Sequence, residues 1–359
     1  MTNANSKIIF PGGAIMKNRF MLAPLTNQQS HENGQLSNDE LKWLTMRAEG
    51  QFGLVMTCAS HVQEIGKGFP GQLGIFSDNL NEGHIKLTTN IKEQGSLAVI
   101  QLHHAGMRTP FELVHQKPVC PSDNEETNAR GLTLEEVKQL RDDFITAAIR
   151  AKKCGYNGVE VHGAHGYILT QFLSSEINKR TDEYGGSLLN RSRLLFEIVD
   201  GIREKCGKDF LLGVRLSPER YGMDIEEVKS VCQRLINAGN IDFLDISLWD
   251  SFKMADDEKF KGQSLMGLFT SLDRKNVQLG VAGKIRTPKE AELIMESGAD
   301  WVMLGRAAML ESDFPKKYSN DPSFKPIKMP VPSSYLTSQG LSKSFQTYVR
   351  GRWPEFFAD

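Results

Sequence analysis

Phe20-Met21-Leu22-Ala23-Pro24-Leu25 runs straight into Thr26-Asn27-Gln28-Gln29, and the reading of this junction decides the fold. A short apolar run of this kind reads as a buried strand. If it opened a doubly wound dinucleotide-binding sheet, a G-x-G-x-x-G loop would follow at once, because glycine lets the backbone close on a pyrophosphate. No glycine stands there. The open sheet therefore gives way to a closed barrel.

Seven further runs repeat the pattern: Leu54–Ala59, Leu97–Leu102, Gly158–His162, Phe210–Leu216, Phe243–Leu248, Val277–Ala282 and Trp301–Leu304. Longer amphipathic stretches lie between them, and their starts are marked. Ser37 with Glu40, Thr133 with Glu136, Asp224 with Glu227, and Thr287 with Pro288 and Glu290 each set an N-cap oxygen ahead of an acid three residues on. Val137, Leu140, Phe144, Ala147, Ala148 and Ala151 keep helical spacing until Gly155, while Gly95, Gly239 and Gly298 end other helices likewise. Eight strands each followed by helical material predict an α/β fold of the TIM (β/α)8 type, one domain over residues 1–312. Pro315, Pro322, Pro326 and Pro330 predict an extended strap from about Ser312 to Pro332, which opens a C-terminal extension of residues 313–359. Its last part carries Tyr348, Arg350, Arg352 and Trp353. It covers the barrel or a neighbouring copy in a homo-oligomer, and the sequence leaves both readings open.

The composition narrows the function classes. The 359 residues carry 43 Lys and Arg against 44 Asp and Glu, a formal net charge of −1, which does not form the basic field a nucleic-acid backbone needs. Five cysteines, at 58, 120, 154, 206 and 232, fit reduced thiols better than paired disulfides and give no local iron–sulfur run. No apolar segment approaches the roughly 20 residues of a membrane span, and the first thirty residues hold no signal-peptide core. A cytoplasmic protein acting on small molecules is expected, without nucleic acid or membrane as a partner.

Polar chemistry concentrates where the fourth strand ends, at Val159-Glu160-Val161-His162-Gly163-Ala164-His165-Gly166-Tyr167. Taken singly, each histidine reads as a core or loop residue; together at the catalytic face of a barrel, two imidazoles and a phenol read as a site. Two N–H donors side by side can grip one carbonyl oxygen and stabilise the enolate that develops on it, with a tyrosine as proton donor to carbon. Zinc is the competing reading of His162 and His165; it needs a third ligand such as Glu160 or Asp245, and no metal site is expected. At the other side of the mouth, Gly283-Lys284 and Gly305-Arg306 follow the last two strands, where barrels commonly bind phosphate. Thr26, Gln101 and Arg215 project from strand ends toward the same mouth, an amide and a guanidinium suited to a flat heterocycle with imide and carbonyl edges.

At these residues the chain resembles the Old Yellow Enzyme family of flavin-dependent ene-reductases. The resemblance runs from about Lys17 to Arg306. It rests on Lys17-Asn18-Arg19 leading to Ala23-Pro24-Leu25-Thr26, Gln101-Leu102 with Ala105-Gly106, His162-Gly-Ala-His165-Gly-Tyr167, and Gln171-Phe172-Leu173. Asn178-Lys-Arg180-Thr-Asp182-Glu-Tyr184-Gly-Gly186-Ser187, Asn190-Arg191 and Leu304-Gly-Arg306 complete it. The resemblance implies non-covalent FMN, reduced by NADH or NADPH, and ping-pong hydride transfer through flavin N5 to the β-carbon of an electron-poor alkene. It implies that Pro24, Leu25, Thr26 and Ala59 line the isoalloxazine, that Gln101 and Arg215 meet its pyrimidine side, and that Gly283, Gly305 and Arg306 hold the phosphate. His162 and His165 would bind the substrate carbonyl over the flavin, and Tyr167 would deliver the proton. Thr26 matches the family branch with threonine rather than cysteine near flavin O4, and His103 stands where relatives often carry tryptophan or a small residue. No cysteine follows Cys232, against the form with a fused iron–sulfur domain. Two other readings of the same residues are a flavin-free barrel lyase or isomerase acting on a phosphorylated substrate, and a non-catalytic flavin-binding protein.

Overall fold

The computed structural model describes residues 3–359. Its centre is a closed barrel of eight strands: β1 (Phe20–Leu22), β2 (Leu54–His61), β3 (Leu97–His103), β4 (Gly158–Gly163), β5 (Leu211–Leu216), β6 (Phe243–Ser247), β7 (Gln278–Ala282) and β8 (Trp301–Leu304). Each pairs in parallel with its sequence neighbours, and β8 returns to β1. The eight apolar runs are these strands, shorter or longer by a residue or three at their ends. Alternation sorts their side chains. Val159 and Val161 face outward into the core between strands and helices, whereas Glu160 and His162 face the interior.

Helices α1 (Asn38–Glu49), α2 (Asn81–Glu93), α3 (Leu134–Lys153), α4 (Arg193–Cys206), α5 (Ile225–Ala238) and α6 (Pro288–Glu296) cover the outside. Ser37, Thr133, Asp224 and Thr287 all cap their helices through the side-chain oxygen. Reciprocal capping boxes form at Thr133 with Glu136 and at Thr287 with Glu290. Glu40 does not return to its cap: buried, it accepts hydrogen bonds from Asn27 and Ser30 instead. After β6 the helical material shrinks to one turn, Gly267–Thr270, behind a long loop.

An antiparallel hairpin of Ile8–Ile9 and Ile15–Met16 precedes the barrel. Phe10, in its bend, meets Phe243 and Trp301 at 6.5 and 6.1 Å, and these begin β6 and β8. The hairpin thus closes the N-terminal end of the cylinder and leaves the C-terminal end open.

The chain beyond β8 is not extended throughout, contrary to the proline count. Phe314–Asn320 is helical, with Pro315 in the first turn where its missing N–H costs nothing. Phe314 and Tyr318, four residues apart, both pack on Phe20, at 5.7 and 5.1 Å. Farther on, α7 (Lys343–Arg352) lays Phe345 edge-on against Trp43 of α1 at 4.9 Å, so the tail packs on its own barrel. Among the described residues no helix is long and apolar enough to cross a membrane.

Candidate functional site

Three ladders bring the polar residues together at the open end. Gln101 on β3 stands opposite Glu160 on β4, His162 on β4 opposite Arg215 on β5, and Arg215 opposite Asp245 on β6. Residues opposed in register point to one face, here the interior. On β2 a register shift between Met56 and Ala59 brings Ala59 beside Gln101 and keeps the floor low.

Above these strands lies a cleft of about 310 Å³. Every residue expected to bind a cofactor lines it: Pro24, Leu25, Thr26, Ala59, Gln101, His162, Arg215, Gly283, Gly305 and Arg306, with His165 and Tyr167.

The two imidazoles touch. His165 Nδ1 lies 3.3 Å from His162 Nε2, and His165 Nε2 lies 2.7 Å from the hydroxyl of Ser247. A serine donating to Nε2 leaves the proton of neutral His165 on Nδ1, the nitrogen that faces His162. His165 has φ +61°, the left-handed conformation that turns its ring toward β6. Burial, aided by the Arg215 and Arg108 charges, pushes His165 down to about 3, and burial with His165 beside it holds His162 well below its ordinary value. Both rings are neutral at neutral pH, and in their contact His165 donates to His162.

Tyr167 closes the group, its ring 5.4 Å from that of His162 and 4.4 Å from that of His103. Burial raises its phenol, so it stays protonated. Arg108 lies over the Tyr167 ring at 4.7 Å and hydrogen-bonds the carbonyl of His165. It belongs to the long connection after β3, which the Gly163–Asn190 connection clasps: Gln171 Nε2 donates to Ala105, and Lys179 N donates to Ser122.

At the phosphate end the cation beside Gly283 is not the expected one. Lys284 pairs with Asp250 at 2.9 Å. Two residues on, Arg286 reaches the cleft instead, near enough to Arg306 that its charge, after burial, depresses the Arg306 guanidinium. Among the described residues neither arginine has an acidic partner within ion-pair distance. Gly283 has φ +156°, and a Cβ there would stand 2.9 Å from the backbone nitrogens of Asp250 and Ser251. Two such free cations beside bare backbone fit a phosphate. Buried Nε of Arg215 and Nδ1 of His162 also lack partners. Small residues floor the cleft and leave room for a flat ring, so the residues present suit FMN.

Sequence reading missed Ser247, Arg286 and Arg108, and gave Tyr348 and Trp353 no place in this wall, which they line. Ser247 carried a signal: it is two residues beyond Asp245 on an inward-facing strand. Arg286 and Arg108 sit in loops whose course no periodicity records. Glu160 and Asp245 are not aimed at the imidazoles as zinc ligands. Among the described residues no three histidine, cysteine or acidic side chains gather for a metal.

Comparison with known proteins agrees with this architecture. Residues 9–322 match the model of the NADH:flavin oxidoreductase / NADH oxidase family. The chain is 35% identical over 319 residues to a probable NADH-dependent flavin oxidoreductase of Bacillus subtilis, covering 86% of this chain and 85% of that one. It is 33% identical over 322 residues to an NADPH dehydrogenase of Bacillus licheniformis, covering 87% and 94%. The solved structure of an old yellow enzyme homologue from Zymomonas mobilis superimposes with a TM-score of 0.80 at 26% identity, covering 96% of this chain and 99% of that one. These matches set aside the flavin-free lyase. The chain is an NAD(P)H-dependent flavin oxidoreductase that uses FMN, and it belongs to the NADH:flavin oxidoreductase / NADH oxidase family, that of the Old Yellow Enzymes.

Proposed function

We propose that this enzyme reduces the activated C=C bond of α,β-unsaturated carbonyl compounds. The observation that carries the reading is the convergence of His162, His165 and Tyr167 on one side of a cleft whose other end holds Arg286 and Arg306. Bound FMN supplies reversible hydride chemistry. Pro24, Leu25, Thr26 and Ala59 would line its ring, Gln101 and Arg215 would meet the pyrimidine side, and Gly283, Gly305 and Arg306 would hold the phosphate together with Arg286.

The protein's part is positioning and proton supply. A carbonyl oxygen entering between His165 Nδ1 and His162 Nε2, which lie 3.3 Å apart, displaces their mutual hydrogen bond and, with the His162 proton carried on Nε2, accepts from both rings. Neutral donors placed where negative charge develops stabilise an enolate. Tyr167, kept protonated by burial, gives its proton to the α-carbon. Arg108, stacked on that ring, steadies the phenolate left behind.

The test is anaerobic reduction of the FMN-loaded protein by NADH or NADPH, then re-oxidation with electron-poor alkenes. Enones are expected to re-oxidise it, and Tyr167→Phe to slow that half-reaction by about 100-fold while reduction by nicotinamide persists. Failure of every enone to re-oxidise the protein, or an unaltered rate in Tyr167→Phe, would contradict the proposal.

A further inference from the structure

Beneath the cleft floor the barrel holds two acids that the proposed chemistry does not use. Glu160 on β4 and Asp245 on β6 are both 0% exposed. Between and beside their strands the inward positions are Gly213 on β5, opposite Glu160, and Gly280 on β7, opposite Asp245. A Cβ on Gly280 would stand 2.4 Å from Asp245 Oδ1 and 2.3 Å from Trp301 Nε1. Missing side chains on these strands make the room in which the two carboxyl groups meet.

Their hydrogen bonding is asymmetric. Glu160 Oε1 accepts from Gln101 Nε2 at 2.6 Å. Glu160 Oε2 and both oxygens of Asp245 receive no donor from any other residue. Two acids in contact in a dry interior cannot both ionise, and a shared proton satisfies two of the three oxygens that remain. Burial, followed by the neighbouring Glu160, lifts Asp245 well above the ordinary carboxylate range, while Arg215 opposes the shift. Asp245 is thus the proton carrier, and the pair bears one negative charge. The groups facing it are Gln101 from β3, Arg215 from β5 and Trp301 from β8, of which Arg215 alone is charged.

We propose that Glu160 and Asp245 are positioning residues: sharing one proton, they anchor Gln101 and set a single negative charge behind Arg215, which limits how strongly that guanidinium favours the reduced cofactor. This rests on the reading of Arg215 as a neighbour of the flavin ring. Removing the charge leaves the guanidinium uncompensated in a medium of low dielectric, so it attracts electron density in the ring more strongly.

The experiment is the midpoint potential of FMN bound to the holoenzyme. Asp245→Asn is expected to match the wild type, because its amide still donates to Glu160 and no charge is lost. In the double variant Glu160→Gln/Asp245→Asn, reduced FMN is expected to gain about tenfold in affinity over oxidised FMN, a rise of about 30 mV for two electrons. A shifted potential in Asp245→Asn, or an unshifted one in the double variant, overturns the inference. If the double variant does not fold, Glu160→Gln replaces it: with Asp245 kept protonated by burial the same rise of about 30 mV is expected, and an unmoved potential overturns the inference. Arg215→Met separates this inference from the site reading. A lowered potential in that variant beside an unmoved double variant refutes the acid pair only, whereas no change in Arg215→Met refutes the site.

Discussion

The Ser247 hydroxyl lies 2.7 Å from Nε2 of His165 and 3.5 Å from Nη2 of Arg215. One serine at the end of β6 thus ties an imidazole that follows β4 to Arg215 on β5, the strand between them. Without it, His165 can carry its proton on either nitrogen. Ser247→Ala is expected to raise KM for an enone about fivefold, the equivalent of one neutral hydrogen bond of about 1 kcal/mol, and to leave reduction by NAD(P)H close to wild type. Steady-state kinetics with each substrate varied in turn makes the comparison; an unchanged enone KM would show that the bond does not orient the ring.

The free cations at the phosphate end predict an ordering of FMN affinities. A hydrogen bond to a charged group contributes about 1.5–3 kcal/mol, so Arg306→Ala and Arg286→Ala are each expected to weaken FMN binding by about 10- to 100-fold. Lys284 is engaged by Asp250, and Lys284→Ala is expected to change it by less than about threefold. Quenching of flavin fluorescence on titrating the apoprotein gives all three constants, and a reversed order would count against Arg286.

Acid should destabilise the fold through its buried histidines. His61 and His84 are pushed down to about 4, and His104 and His165 to about 3, in every case by burial first. In the unfolded chain these rings titrate at about 6.5. Their folded values are lower, so the unfolded state binds more protons on acidification: the stabilisation is complete above about pH 6.5 and is lost as pH falls from there toward 4 and then 3. Each ring costs up to about 1.4 kcal/mol per pH unit in that window. Urea midpoints at pH 7.5, 6 and 5 are expected to fall in that order, and a flat series would mean that these rings protonate without unfolding.

The tail should detach as a unit. Phe345 is wholly buried against Trp43, and truncating such a residue costs about 3–5 kcal/mol. Phe345→Ala is expected to raise amide exchange across α7 and the Pro354–Phe356 turn, with the barrel strands still protected. Because Tyr348 and Trp353 line the cleft, enone KM is expected to rise as well. Equal loss of protection in the strands would instead make the tail part of the barrel's cooperative unit.

Much of the site was legible because strand geometry is regular. An inward residue recurs every second position, so Gln101, His162 and Arg215 were assignable to the mouth once the strands were drawn. The helix caps were local for the same reason, each depending on four consecutive residues. Lys284 and Arg286 mark where this stops: both follow Gly283 closely, and only the fold of the preceding loop, which brings Asp250 to Lys284, decides which cation remains free. The strap misled because a proline at a helix start and one in extended chain look alike until Phe20 appears as a packing partner for Phe314 and Tyr318.

Period and punctuation, properties of near neighbours in the chain, were enough to determine eight strands, their helices and the end at which polar residues gather. The pairing of Glu160 with Asp245, of Ser247 with His165 and of the tail with α1 was decided by closure of the barrel. Each joins residues between 82 and 302 positions apart; a carboxyl group acquires a neighbour, a proton and a direction only when distant strands exclude water around it.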